Sequence, residues 1–185
     1  TGLTDYPEII EVKKLEHEKN NFGGIWHSDT VYLDEPPMAS MLVARELPPR
    51  GGDTEFANMY RAWDELPAHL RSTIEPLMAV NRSDLADVSK TRSDRLADGD
   101  QPTRPAYRST HPAVRTHPET GRKSLYVNIA HTSHFVGMTE AQSRPILDEI
   151  FAHQVRQARS AVYWSENTPA PGSRPSLIGD HTADL

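Results

Sequence analysis

The stretch FGGIWHSDTVYLDEPP, residues 22–37, decides how this chain is read. It sets His27 and Asp29 two apart, directly behind Trp26 and ahead of a Pro36-Pro37 stop. On an extended segment, side chains two apart point to the same face, so both can converge on one ion. Two ligands on one element need only a third from elsewhere to make a facial set of two histidines and one carboxylate. Such a set leaves open positions on iron(II). The other reading is a polar strand end with a solvated Asp29. With 9 His and 13 Asp in the chain, roughly 0.6 His-x-Asp pairs arise by chance. The pair alone therefore does not choose between the two readings.

Composition narrows the chemistry. The 185 residues contain no cysteine, which excludes a disulfide framework, a thiolate zinc site and a cysteine nucleophile. Any metal must be held by His, Asp or Glu. A formal net charge of -6 and a pI near 5.8 offer no basic face, so nucleic acid is not an expected partner. No apolar run approaches the roughly 18 residues of a membrane span. The first residues, TGLTDYPEII, lack the basic and apolar parts of a secretory leader, so a cytoplasmic address is the default expectation. The length suits a single domain over 1–185, and 15 prolines with a mean hydropathy of -0.64 predict many turns.

Along the chain, PEIIEVKKLE (7–16) has the β-branched content of a strand, and the pair is expected where a loop then enters another strand. ASMLVA (39–44) reads as a buried strand stopped by a Pro/Gly turn, and TEFANM (54–59) as the next strand. Asn58 is placed to cap a short helix. Pro67 is placed to open a second one, with Leu70, Ile74, Leu77 and Met78 along one face. Residues 83–106 are charged and aperiodic and predict a mobile loop. HPAVRTHPETGRKSLYVN (111–128) reads as a hairpin turning at Pro118-Glu119-Thr120-Gly121. MTEAQSRPILDEIFAHQ (138–154) reads as a helix that can start at Thr139, through a capping box with Gln142, or at Ser143, because Pro145 follows. Strands before helices, without βαβ alternation, predict a mainly β fold with a few helices.

Taken together, WHSDTVYLDEPPMASMLVARELPPRGGDTEFANMY (26–60) and the 111–128 hairpin resemble the taurine dioxygenase and 2,4-dichlorophenoxyacetate dioxygenase family of iron(II)- and 2-oxoglutarate-dependent oxygenases. The Trp-His-x-Asp segment, the Pro-Pro element, the Gly-Gly-Asp-Thr turn and the His-Pro…Asn hairpin occur in the family's order, and the likeness runs from about Pro7 to Gln154. The resemblance implies a double-stranded β-helix, or jelly roll, with iron at its mouth. It implies His27 and Asp29 as iron ligands, and a Thr54 hydroxyl that hydrogen-bonds the distal carboxylate of 2-oxoglutarate. It also implies hydroxylation of a small organic substrate with O2, yielding succinate and CO2; a homo-oligomer is compatible with it. His131 and His134 fall in a region without ligands, as structural or substrate-pocket residues beside Phe135. His111, His117, Arg115 and Asn128 match mainly structural positions. His17, His69 and His153 read as surface or packing residues.

The likeness breaks near the C-terminus. The family's Trp-Asp-Asn-Arg strand, its second iron-binding His and its carboxylate-binding Arg are not intact in ARSAVYWSENTPAPGSRPSLIGDHTADL (158–185). Pro169, Pro171 and Pro175 exclude an interior strand there. Aligning Ser173-Arg174 with the family's Asn-Arg puts Ile178 where the His is expected. His181 is the remaining downstream histidine, and Arg174 the remaining arginine. The sequence is thus expected to be a middle portion of such a protein, incomplete at both ends, with an atypical tail over 158–185. The alternative is a catalytically impaired remnant, or a non-oxygenase metal-binding β-helix protein that keeps His27 and Asp29.

Overall fold

The structure is a computed structural model and describes residues 3–6, 8–15, 17, 23–46, 54–85, 106–157 and 159–162. Its elements are β1 (Thr54–Ala57), α1 (Met59–Asp64), α2 (Ala68–Ile74), β2 (Met78–Arg82), β3 (Arg108–Pro112), β4 (Val114–Thr116), β5 (Lys123–Leu125), β6 (Thr132–Phe135), α3 (Glu140–Gln157) and β7 (Arg159–Val162). All strand pairs are antiparallel: β1 with β7, β4 with β5, and a three-stranded sheet in the order β3-β2-β6. Among the described residues no helix is long and apolar enough to cross a membrane.

The helices begin where local chemistry supplies a cap. The Asn58 side chain accepts the Arg61 N–H at 3.0 Å and starts α1. Pro67 precedes α2, and the Arg71 guanidinium reaches back to the Asp64 carbonyl at 2.6 Å, tying the two helices together. Leu70 and Ile74 face the core as expected. The helix ends at Ile74, however, so Leu77 lies in the turn and Met78 opens β2. At α3, Thr139 and Gln142 form the reciprocal box, with Thr139 N–H donating to Gln142 at 2.8 Å and Gln142 N–H to the Thr139 hydroxyl at 3.2 Å. The start at Thr139 wins although Pro145 then lies inside the helix and removes one backbone donor. Ser143, the competing start, is instead buried, and its hydroxyl accepts the Phe135 N–H at 3.0 Å.

One apolar cluster holds these parts together. Trp63, Leu70 and Ile74 from the first two helices, with Leu66 between them, meet Ala79, Leu125 and Phe135 from the strands, Val127 just after β5, and Leu147, Ile150 and Phe151 of α3. The β4–β5 hairpin turns as expected, with Gly121 at φ 70° where a side chain would be strained.

Three expectations fail. The described residues of PEIIEVKKLE, 8–15, form no strand: Ile10 makes a single bridge, and Ile9, Ile10 and Val12 are exposed. ASMLVA is neither strand nor buried, with Met41, Leu42 and Val43 all exposed. A strand requires a continuous ladder, and the described residues of these segments form none beyond the single Ile10 bridge, so β-branched content alone does not make them strands. His27 and Asp29 also do not enter a strand, because Thr30 at φ 52° turns the chain immediately after them. At the head of the expected atypical tail, Arg159–Val162 form β7, antiparallel to β1. The expected loop at 83–106 and the tail with Arg174 and His181 lie outside the described residues, apart from 83–85, 106 and β7.

Ser143→Ala would leave the buried Phe135 N–H without its acceptor. It is expected to lower stability by about 1–3 kcal/mol in urea unfolding, with α3 still helical by circular dichroism.

Candidate metal site

The geometry around His27 is set by its own backbone neighbourhood. Its Nδ1 lies 2.7 Å from the Ile25 carbonyl oxygen. A carbonyl can only accept, so Nδ1 carries the proton and donates it. Nε2 is thereby left facing Asp29, whose Oδ1 is 3.2 Å away. The hydrogen bond to Asp29, supplemented by the Ile25 carbonyl, raises the His27 pKa above its ordinary value despite partial burial. The bond from His27 in turn holds the Asp29 carboxyl below its usual range. Asp29 is 60% exposed and His27 29%, so the pair is reachable from solvent.

Gly23 belongs to this arrangement although its sequence position signals only a loop. It adopts φ 67°, and a Cβ built on it would stand 3.1 Å from the His27 ring. The glycine lets the backbone turn tightly against the imidazole. On the other side, Thr30 occupies the left-handed region, which for a β-branched residue costs on the order of 1–3 kcal/mol. This turn directs Val31 inward, where it is fully buried, and leaves Asp29 outside.

The donor set fits a divalent cation as far as it goes. Two donors each about 2.1 Å from an ion and at right angles stand about 3.0 Å apart, close to the observed separation of Nε2 and Oδ1. An imidazole with its other nitrogen locked to a carbonyl is the usual state of a metal-binding histidine. Among the described residues no group of three His, Asp or Glu side chains forms a complete site.

Several of the other described histidines make contacts within the fold. His131 is 2% exposed, its Nδ1 3.1 Å from the Arg82 carbonyl and its ring edge-on to Tyr32 at 4.9 Å. Burial lowers its pKa against the opposing carbonyl contact. The Ser133 hydroxyl lies 2.7 Å from His134 Nδ1, His117 accepts the Glu119 N–H in the hairpin turn, and His153 reaches the Ala62 carbonyl at 2.9 Å. Exposed His69 lies 3.4 Å from Glu149. Asn128 accepts the His131 N–H through Oδ1 at 3.0 Å and closes the turn before β6. Thr54 is half-buried at the first residue of β1, paired across to Val162. Gly51, Gly52 and Asp53 before it lie outside the described residues.

Residues 2–168 match the family described as taurine catabolism dioxygenase TauD, TfdA family. The chain belongs to this family. Within the TauD/TfdA family it is 37% identical over 144 residues to the alpha-ketoglutarate-dependent 2,4-dichlorophenoxyacetate dioxygenase of Cupriavidus pinatubonensis, covering 75% of this chain and 46% of that protein. A taurine dioxygenase crystal structure from Burkholderia xenovorans superposes with a TM-score of 0.67 at 29% identity, over 88% of this chain and 53% of the other. The crystal structure of AAD-2 in complex with Mn(II) and N-oxalylglycine superposes with a TM-score of 0.62 at 28% identity, over 76% and 55%. The chain spans 42–48% of the length of four of its curated TauD/TfdA relatives.

Gly23→Ala is expected to strain the backbone at φ 67° and push the His27 ring by a few tenths of an ångström; if the pair holds a divalent metal, isothermal titration calorimetry should show that binding weakened. A second expectation concerns acid. His131 is held neutral in the folded chain, so its contribution to stability is complete above the ordinary value of 6.5 and is lost as pH falls toward the lowered native value. Urea midpoints should therefore drop less in His131→Phe than in the parent between about pH 7 and about pH 5.

Proposed function

We propose that this chain is the metal-bearing part of an iron(II)- and 2-oxoglutarate-dependent dioxygenase, which hydroxylates a small organic substrate with O2 and releases succinate and CO2. The observation that carries this reading is the 3.2 Å approach of His27 Nε2 to Asp29 Oδ1, with Nδ1 already committed to Ile25. Family membership supports it, as do relatives whose names state alpha-ketoglutarate dependence. In this reading the strands are part of a double-stranded β-helix, and the short antiparallel pairs around one core are consistent with that architecture.

The residues divide the work. His27 and Asp29 offer two neighbouring donors to the metal. Ile25 fixes the imidazole tautomer, so that a proton lost from His27 leaves from Nε2 and bares the ligating lone pair. Thr54 holds the distal carboxylate of 2-oxoglutarate through its hydroxyl. The bound iron supplies the redox chemistry with O2, while the protein orients ligands and limits water. Among the names of family relatives are 2,4-dichlorophenoxyacetate dioxygenase, (S)-phenoxypropionate/alpha-ketoglutarate-dioxygenase and alkylsulfatase, which favours a small organic anion as substrate.

Anaerobic titration of the purified chain with iron(II) and 2-oxoglutarate tests the proposal. The expected result is the weak visible charge-transfer band of the keto-acid chelate, absent in Asp29→Ala. Loss of a ligand should exceed the roughly 10–100-fold penalty of losing an outer hydrogen-bond partner. Metal uptake without that band in a folded chain would contradict the co-substrate half of the reading and leave a metal-binding protein.

A further inference from the structure

The loop that carries the pair is attached to the sheet by side chains. The Ser109 hydroxyl donates to the Val31 carbonyl at 2.7 Å, and His111 Nε2 lies 2.8 Å from the Leu33 carbonyl. The acceptor again fixes the proton, here on Nε2 of His111. Both contacts span 78 residues of sequence, so positions 31 and 33 advance in step with 109 and 111. The loop therefore runs parallel to β3, with two side chains in the place of a backbone ladder.

β3 is suited to this. It is an edge of the β3-β2-β6 sheet, and its residues alternate, with Arg108, Thr110 and Pro112 exposed while Ser109 and His111 turn inward. The His111 ring is edge-on to Tyr126 at 5.6 Å, and the Arg115 guanidinium covers Tyr126 at 4.7 Å, so the donor is itself held. Between the two clamped carbonyls, Tyr32 stacks on Tyr107 and meets His131. Immediately before them comes Thr30, in a conformation that a β-branched residue keeps only where its surroundings impose it. Asp29 is one residue further back.

We propose that Ser109 and His111 are positioning residues for the His27–Asp29 pair, imposing the strained Thr30 turn that sets Asp29 against His27 Nε2. Its consequence for metal binding rests on the reading of that pair as metal ligands. Neither residue touches the ion. They act through the two carbonyls, so the effect belongs to the geometry of the pair rather than to its chemistry.

The test uses the full chain in two states. Ser109→Ala and His111→Phe remove the donors, the latter keeping a ring against Tyr126; Ser109→Thr and His111→Gln retain a donor. In the metal-free chain, hydrogen exchange of the amides at 29–33 is expected to accelerate at least tenfold in the first two variants, with α3 unchanged. Co(II) affinity should fall about 10–100-fold with an altered ligand-field spectrum, and the donor-retaining variants should recover most of both. Folded Ser109→Ala and His111→Phe chains with parental exchange at 29–33 would overturn the proposal. So would a loosened loop that binds Co(II) with parental affinity and spectrum. If the parent itself takes up no Co(II), the metal reading falls, and the exchange data alone decide whether the side-chain ladder imposes the turn.

Discussion

Two carbonyl groups, those of Val31 and Leu33, have to find donors. They belong to a loop that makes no strand of its own, and a buried carbonyl left unanswered costs as much as a lost hydrogen bond. Ser109 and His111 answer them from the edge of a sheet. The candidate site inherits its shape from that attachment, because Asp29 is two residues from the first clamped carbonyl and His27 is set against Asp29. Stability therefore reaches the site indirectly. The core packs α3 behind β6, Ser143 pins the Phe135 backbone, β6 pairs with β2 and β2 with β3, and β3 holds the loop.

What the sequence made legible follows from the range of each signal. Asn58 as a cap, the Thr139–Gln142 box and the Gly121 turn are all decided within four residues, and each forms as its residue types dictate. His27 and Asp29 do come together, but beside the Thr30 turn and not on the extended strand from which their spacing was read. ASMLVA and PEIIEVKKLE were misread because a strand is a relation between two segments, and composition describes only one of them. β7 is the converse case: its four residues RSAV carry little strand signal of their own and stand just ahead of a proline-rich stretch, and only pairing with the distant β1 makes them a strand. His111 reads as a structural position, but what it and Ser109 hold does not show in the sequence, since their partners lie 78 residues away and a serine on an edge strand carries no local signature. Gly23 had a faint one, a Gly-Gly step just before a histidine, with a purpose visible only once the ring is placed beside it.

The electrostatics of the pair suit an ion that must be taken up from water. Both members are accessible, and their mutual hydrogen bond stabilises imidazolium and carboxylate together. In the proposed role a divalent cation would take the place between Nε2 and Oδ1 and displace any proton held there. The Ile25 carbonyl engages the opposite ring nitrogen, Nδ1, and so fixes the orientation in which Nε2 is presented.

The most direct measurement is the nitrogen NMR spectrum of the chain labelled at its histidines, recorded as Zn(II) is added. The result expected is a shift confined to Nε2 of His27 among the described histidines, with Nδ1 still protonated and His111 and His131 unmoved. A metal-induced shift at His111 or His131, or a His27 that gives up its Nδ1 proton, would contradict the claim that a clamped turn presents Nε2 and the Asp29 carboxylate as one divalent-cation site.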